Sequence, residues 1–285
     1  LPPGSDQQWG ALVFASGDQE YFEKTYGAAT RENVTHFLTF DRDYAGSILS
    51  CVHAARENAR SVRESISSEM WEQLNEFYIA VRDAAKSTPL KTPNAFYQHI
   101  KNSSHLFVGI TVTTFSQGEA WHFARLGRTL ERADKTSRIL DVKYFTLLPH
   151  VQDVGTPIDD LQWSAVLRSV SGFEMYRKRH HGITPKRVVG FLVLDRQFPR
   201  AVMHCVDTAY RSLHAITGSP EGTFWNIADK RLGQLRSELA YATVDEIIGR
   251  GLHEFLDSLQ VQINEVGTGI YNTFIAMEPE DHIVA

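Results

Sequence analysis

Six charged side chains lie within eleven residues, from Arg128 to Arg138, of one helical stretch, LGRTLERADKTSRILD, and Glu131 and Arg132 are adjacent in it. A carboxylate in a cleft can act as a general acid or base. Guanidinium groups bind carboxylate or phosphate through two parallel hydrogen bonds. Together with Arg128, the pair predicts a site for an anion, with Glu131 as a candidate acid or base.

A second charged set lies in the segment that follows Ser47. Arginines recur there at helical spacing along one border of an apolar stripe, beginning with Arg56 and Arg60, and Glu57 and Asn58 stand between them. Side chains three and four residues apart share one face of a helix. This set could therefore supply partners for the charges of the first.

The helix that carries the first set must position its charges, and its apolar residues form one seam. The members of that seam are Phe123, Leu126, Leu130, Ala133, Ser137, Leu140 and Tyr144. One interpretation of the opposite side is a solvated face with i,i+4 ion pairs, Glu131 with Lys135 and Asp134 with Arg138.

The other interpretation places this helix in the centre of a bundle, because apolar side chains also occur on its charged side. They are Trp121, Ile139 and Val142. Under this interpretation we expect Glu131 and Arg132 to be mostly buried. A buried charge needs a partner, so we also expect a network that includes at least one of Arg56, Glu57 and Arg60.

The sequence predicts an all-α fold made of two diverged copies of one helical unit. The segment FLTFDRDYAGSILSCVHAA, from Phe37, matches FLVLDRQFPRAVMHCVDTA, from Phe191, at a constant offset of 154. We expect a first repeat over residues 1–147 and a second over 148–285, in one continuous globular unit. Serines at positions 47 and 67 are the expected helix starts.

Composition excludes several classes of protein. A net charge of -5 without a long basic stripe disfavours a dedicated nucleic-acid binder. No apolar run approaches the roughly eighteen residues that a membrane-spanning helix needs. Two cysteines, Cys51 and Cys205, occupy matching positions and are expected to be small core residues. We therefore expect a cytoplasmic protein that binds neither nucleic acid nor membranes.

Two further motifs have alternative interpretations. Glu119 and His122 have the Glu-x-x-His spacing of carboxylate-bridged metal bundles, but such sites need two pairs, and a core or surface role is favoured. The basic run YRKRHHGITPKR from Tyr176 could meet a phosphate-rich partner, although a solvated helix end is favoured. No phosphate-binding loop is recognisable, so we expect no cofactor in this chain, and any nucleotide would belong to a partner.

Two segments, WHFARLGRTLERADKTSRILDVKYF and AARENARSVRESISSEMWEQLN, resemble the bacterial alpha-E domain family, an all-helical family of unknown function with a Glu-Arg motif. The resemblance covers essentially the whole chain. It places the motif on Glu131 and Arg132, and the Arg-Glu-Asn signature on Arg56, Glu57 and Asn58. It also implies a further Glu-Arg helix ahead of the LPP loop, which this chain is expected to lack.

The genomic company of such proteins, ATP-grasp amide ligases and transglutaminase-like proteases, implies a role in making or modifying peptides. The first functional hypothesis is thus a helical accessory or binding protein that acts with an ATP-grasp ligase. The alternative is an enzyme acting on a carboxylate or peptide through the Glu/Arg cluster. A carboxylate-bridged metal bundle is the third hypothesis.

Overall fold

The computed structural model describes residues 5–87, 90–146 and 157–276, and these contain helices and no strand. The predicted all-α fold is confirmed. The chain divides into two compact units, Leu1–Trp121 and His122–Ala285. The predicted repeat boundary, between residues 147 and 148, lies outside the described residues, so the duplication stays a prediction.

The first unit is built from six helices that pack mainly on their neighbours in the chain, α3 on α4, α4 on α5 and α5 on α6. They are α1 (Ser5–Ser16), α2 (Gln19–Tyr26), α3 (Arg31–Phe40), α4 (Ile48–Ser61), α5 (Ser68–Ala85) and α6 (Pro93–Thr114). As predicted, Ser47 and Ser67 cap α4 and α5, because each hydroxyl accepts a hydrogen bond from a backbone N–H of the first turn. Small clusters of buried side chains, such as Phe22 with Phe37 and Phe77 with Val81, hold these helices together.

The second unit holds the larger core of buried side chains, and it includes most of the Glu-Arg helix. Its helices are α7 (Glu119–Thr146, whose first three residues belong to the first unit), α8 (Pro157–Ser169), α9 (Phe173–Arg179), α10 (Pro185–Val189), α11 (Val202–Thr217), α12 (Ile227–Tyr241), α13 (Val244–Arg250) and α14 (Leu252–Phe274). A π-helical turn, Gly190–Leu194, extends α10. Most of α7, from His122 onward, therefore belongs to the second unit.

The shared Asp-Arg dipeptide forms the same turn in both units. Asp41 accepts hydrogen bonds from the backbone N–H groups of Asp43 and Tyr44, at 2.9 and 3.2 Å. Asp195, which is 154 positions later, accepts from Gln197 and Phe198, at 2.8 and 2.6 Å. The aspartate thereby ends one helix and directs the chain into the next. The likeness at these turns is local.

The two cysteines also make matching contacts but differ in burial. Each thiol donates to a backbone carbonyl at 3.4 Å, Cys51 to Ala45 and Cys205 to Pro199. Cys205 is fully buried, as predicted, whereas Cys51 is exposed and the prediction for it is wrong. The reason is position, since Cys51 lies at the edge of the stripe that α4 buries through Leu49 and Val52.

Candidate functional site

The predicted apolar seam of α7 is confirmed from Leu126 to Leu140, whereas Phe123 is half-buried and the side chain of Tyr144 lies outside the described part of the structure. Leu126, Leu130, Ala133, Ser137 and Leu140 are all buried, and the four apolar residues among them belong to the core of the second unit. A seam of this spacing fixes the rotation of the helix, because each buried leucine contributes about 1.5–3 kcal/mol. The charged side chains therefore fall at defined positions around the helix.

Glu131 is exposed, so the prediction that it is mostly buried is wrong. Its side chain retains 67% of its accessible surface, and its carboxylate lies 3.3 Å from the ammonium of Lys135, which is 59% exposed. The apolar residues Ile139 and Val142 are half-buried, but they lie about two to three turns further along. Their cover does not reach the central turn, and a charge stays in water wherever water is accessible.

One flank of α7 carries buried acidic groups. Asp134 accepts a hydrogen bond from Nε of Arg138 at 2.8 Å, which confirms the second predicted i,i+4 pair. On the same flank, both carboxylate oxygens of Asp141 lie 3.0 and 3.1 Å from Nδ1 of His253 on α14. Burial raises the pKa of Asp141, and the hydrogen bond from His253 opposes this shift.

The other flank carries arginines. Arg125, Arg128 and Arg132 follow one another at intervals of three and four residues, so they share a face of α7. Arg200, which precedes α11, joins them, and we call these four residues the arginine cluster. All four are half-buried.

Two hydrogen bonds hold the segment before α11 against α7. The hydroxyl of Thr136 donates to the carbonyl of Arg200 at 2.8 Å, and Nη1 of Arg132 donates to the carbonyl of Pro199 at 3.4 Å. Thr136 is buried, so its hydrogen bond to Arg200 borders the core, whereas the contact of Arg132 with Pro199 is exposed. The position of Arg200 relative to Arg132 is therefore set by packing.

The electrostatics of the arginine cluster are unusual for a protein surface. Burial lowers the pKa of Arg128, and the positive charges of Arg132 and Arg125 lower it further. Burial likewise lowers the pKa of Arg200, with Arg132 adding to the effect. At the far end, burial and the charge of Arg211 lower the pKa of Arg125. Four like charges are thus held together in partly desolvated positions.

Among the described residues, no carboxylate balances the centre of this cluster. In the part of the chain that the structure describes, Arg128, Arg132 and Arg200 form no ion pair, and the buried Nε of Arg128 has no hydrogen-bond partner. Next to the cluster, Arg211 is already paired with Asp207 at 3.0 Å. Because like charges repel, this arrangement is stabilised when an anion binds.

The start of α11 adds to the positive potential. Its N-cap is Ala201, whose side chain makes no cap hydrogen bond, whereas Ser47 caps α4 at the matching position. The N-terminus of a helix carries a partial positive charge. The N-terminus of α11 therefore adds to the attraction that the four guanidinium groups exert on an anion.

Sequence reasoning found half of this cluster. Arg128 and Arg132 were predicted as site residues, and both lie in it. Arg125 was missed, although the same spacing of three and four residues that relates Arg128 to Arg132 would have indicated it. No sequence spacing indicates Arg200, because it is far from Arg132 in the chain. Pro199, the residue before it, is already 67 positions from Arg132.

The second predicted set lies in the first unit, where Arg56 is held by several contacts. Its Nε donates to Oδ1 of Asn75 at 2.7 Å, and its Nη1 lies 2.6 Å from Glu57. Its guanidinium also stacks over the rings of Trp71 and Tyr78, at 5.4 and 5.3 Å. These contacts link α4 to α5, so Arg56 has a structural role.

The remaining members of this set are more open. Arg60 pairs with Glu57 at 2.9 Å but keeps 66% of its side chain exposed, and Asn58 is exposed. The ion pairs described for Arg56 and Arg60 are made within the first unit, and that of Glu131 is made within the second. The joint network expected from the sequence stays a prediction.

The surroundings of the Glu-x-x-His motif and of the basic run fit the structural interpretation of each. Glu119 is exposed and His122 is half-buried, and within residues 5–87, 90–146 and 157–276 no group of three or more His, Cys, Asp or Glu side chains is arranged to hold a metal ion. In the basic run, Arg179 binds Asp195 and Gln197, and Lys186 lies 2.5 Å from Asp245. These contacts fit a solvated helix end.

Comparison with known proteins identifies a family but no characterised relative. None of the described helices is long and apolar enough to cross a lipid bilayer. No curated protein and no solved structure matches the chain. A family model described as "a predicted alpha-helical domain with a conserved ER motif" matches residues 2–275, and the Glu-Arg pair of this chain stands at Glu131 and Arg132. Since the match covers nearly the whole chain, this protein belongs to the Alpha-E family.

Proposed function

We propose that this chain is a helical binding protein that recognises an anionic group of a peptide and acts as the accessory of an ATP-grasp amide ligase. The observation that carries the proposal is the arginine cluster, in which Arg128, Arg132 and Arg200 are half-buried beside one another with no carboxylate partner among the described residues. The anionic group is a carboxylate or a phosphate, which are the two groups that match the fork of a guanidinium.

The chemistry of the cluster supports binding more than catalysis. Arginine stays protonated in proteins and cannot serve as an acid or base at neutral pH. Glu131, the acid or base suggested by the sequence, points into solvent and pairs with Lys135, so it does not share a water-excluded pocket with the arginines. A rigid set of cations without an adjacent base holds a ligand in place for a partner to act on.

The ligase half of the proposal comes from the resemblance to families found beside ATP-grasp proteins. Amide ligases of that kind activate a carboxylate, so a peptide with a free carboxylate is a substrate that suits them. A protein with a preformed carboxylate site is suited to present such a peptide. Any nucleotide in the reaction would be bound by the ligase.

The proposal is tested by copurification of the tagged chain from its native cells, with assay of the recovered ligase. We expect the wild-type chain to recover an ATP-grasp ligase and to change its turnover on peptide substrates. A double variant, Arg132→Met with Arg200→Met, is expected to lose the effect on turnover, whereas Lys135→Met on the exposed ridge of α7 retains it. Absence of a ligase from the eluate, or a recovered ligase whose turnover the chain leaves unchanged, would contradict the proposal.

A second candidate function is an enzyme that acts on a carboxylate or peptide. The observation that favours it is the pair of His253 with Asp141, in which a buried carboxylate orients a partly exposed imidazole. This arrangement is used by histidine bases. Turnover of a carboxylate or peptide substrate by the isolated chain, abolished by His253→Gln in a folded protein and retained by Glu131→Gln, would select this function.

A further inference from the structure

We propose that the arginine cluster takes a short acidic peptide segment in which two carboxylates are separated by one residue. This inference rests on the proposed function and narrows its ligand from any anion to a peptide with two carboxylates. The structural basis is the row of half-buried arginines along α7 together with Arg200 at one end of the row.

The spacing of the row sets the spacing of the ligand. Arg128 and Arg132 are four residues apart, which is about 6 Å along a helix, and Arg125 lies about 10.5 Å from Arg132. In an extended peptide, side chains at i and i+2 point to the same side and lie about 6.6–6.8 Å apart. Two carboxylates in that relation match one helical turn of the arginine row.

The distribution of charge also calls for more than one negative group. Arg132 and Arg200 are close enough to affect each other, and they form one end of the row. Arg128 lies in the middle of the row and is repelled by both Arg132 and Arg125. One carboxylate bound between Arg132 and Arg200 would leave Arg128 repelled by its neighbours. A second carboxylate at Arg128 balances the row.

The neighbouring charges mark the ends of this site. On one side, Arg211 is neutralised by Asp207 at 3.0 Å. On the exposed ridge, Lys135 is neutralised by Glu131 at 3.3 Å. Within the cluster, the positive charge without an ion pair among the described residues lies on Arg128, Arg132 and Arg200. A short peptide responds to this local charge, whereas a long polyanion such as nucleic acid is repelled by a chain with a net charge of -5.

Isothermal titration calorimetry with the full chain tests the inference. The probes are three acetylated and amidated peptides of equal length built from glycine: one with a single glutamate, one with glutamates at i and i+2, and one with glutamates at i and i+1. The last has the same charge as the second but places its carboxylates on opposite sides of an extended chain. Inorganic phosphate and a short single-stranded oligonucleotide complete the set.

We expect the i,i+2 peptide to bind roughly tenfold more tightly than the single-glutamate peptide, and the i,i+1 peptide to gain only about twofold. Arg128→Met is expected to lower the affinity for the i,i+2 peptide to that for the single-glutamate peptide. The affinity for the single-glutamate peptide is expected to stay unchanged. Arg128→Lys, checked for folding by circular dichroism, is expected to lose affinity in the same direction, because lysine keeps the charge but not the planar fork.

The outcomes that overturn the inference are distinct from those that overturn the proposed function. Equal affinity for one and two glutamates, or equal affinity for the i,i+1 and i,i+2 peptides, overturns the inference and leaves an anion-binding protein. Tighter binding of the oligonucleotide than of every peptide also overturns it. Absence of heat with all peptides and with phosphate overturns the proposed function itself.

Discussion

Glu131 and Arg132 are adjacent in the chain but face different surroundings. The Glu131 carboxylate lies in solvent, 3.3 Å from Lys135, whereas Arg132 is half-buried and reaches the carbonyl of Pro199 at 3.4 Å. One step along a helix turns the side chain by about 100°. The two halves of the Glu-Arg motif therefore have separate tasks, and only the arginine faces the candidate binding site.

The first prediction separates structural from exposed arginines in the first unit. Arg56→Met is expected to reduce the free energy of unfolding by about 1–3 kcal/mol, because it removes a charged hydrogen bond and the stacking of the guanidinium on two aromatic rings. Arg60→Met removes a largely exposed ion pair and is expected to cost less than about 1 kcal/mol. Urea denaturation of both variants measures the difference. Equal losses would contradict the structural role assigned to Arg56.

The second prediction concerns the buried ion pair of the second unit. The ammonium of Lys143 lies 2.7 Å from the carboxylate of Asp159, and their side chains are only 2% and 4% exposed. Asp159→Asn removes the carboxylate charge beside this buried cation, so the expected loss of stability is about 3–5 kcal/mol.

The double variant Lys143→Met with Asp159→Leu is the matched control for this pair. Since it removes both charges, it is expected to unfold at a higher urea concentration than Asp159→Asn alone. If the double variant is less stable than the wild type by the full sum of the losses in the single variants Lys143→Met and Asp159→Leu, the two side chains are not coupled and the prediction is wrong.

The sequence predicts features that depend on neighbours in the chain. The seam of α7 follows from the spacing of Leu126 and Leu130, and the ion pairs of Glu131 and Asp134 follow from i,i+4 spacing. The burial of Glu131 could not be judged in this way, because solvent access depends on what other helices cover. Arg200 could not be predicted for the same reason, because only tertiary packing brings it close to Arg132.

The third prediction uses the pH dependence of stability in the first unit. Burial of Asp41 would raise its pKa, but hydrogen bonds from the Tyr26 hydroxyl and the backbone N–H groups of Asp43 and Tyr44 lower the pKa below its ordinary value. A carboxyl whose pKa is lower in the folded state stabilises the protein above its unfolded pKa. This contribution is lost as the pH falls through the folded pKa.

We therefore expect the stability of the wild-type chain to fall between about pH 5 and pH 2 more steeply than that of Asp41→Asn. Tyr26→Phe, which removes one of the hydrogen bonds, should give an intermediate slope. Chemical denaturation at a series of pH values measures these slopes. Identical slopes in all three proteins would show that Asp41 is not a source of the acid sensitivity.

The fourth prediction distinguishes the two thiols. Burial raises the pKa of Cys205 to about 11, although Arg132 and Arg200 oppose this shift, and Cys51 is exposed. The thiolate is the reactive form, so one thiol is expected to react with a maleimide in the native protein at pH 8 and two in denaturant. Cys51→Ser should leave no reactive thiol in the native state. Rapid labelling of Cys205 in that variant would contradict its burial.

The central claim, that the arginine cluster binds an anion, is tested most directly by thermal unfolding in phosphate against chloride at constant ionic strength. A ligand that binds only the folded state stabilises it, so at about ten times the dissociation constant Tm is expected to rise by about 2–4 °C. The same rise is expected for Lys135→Met, and none for Arg132→Met with Arg200→Met. An equal rise in all three proteins, or no rise in the wild type, would contradict the claim.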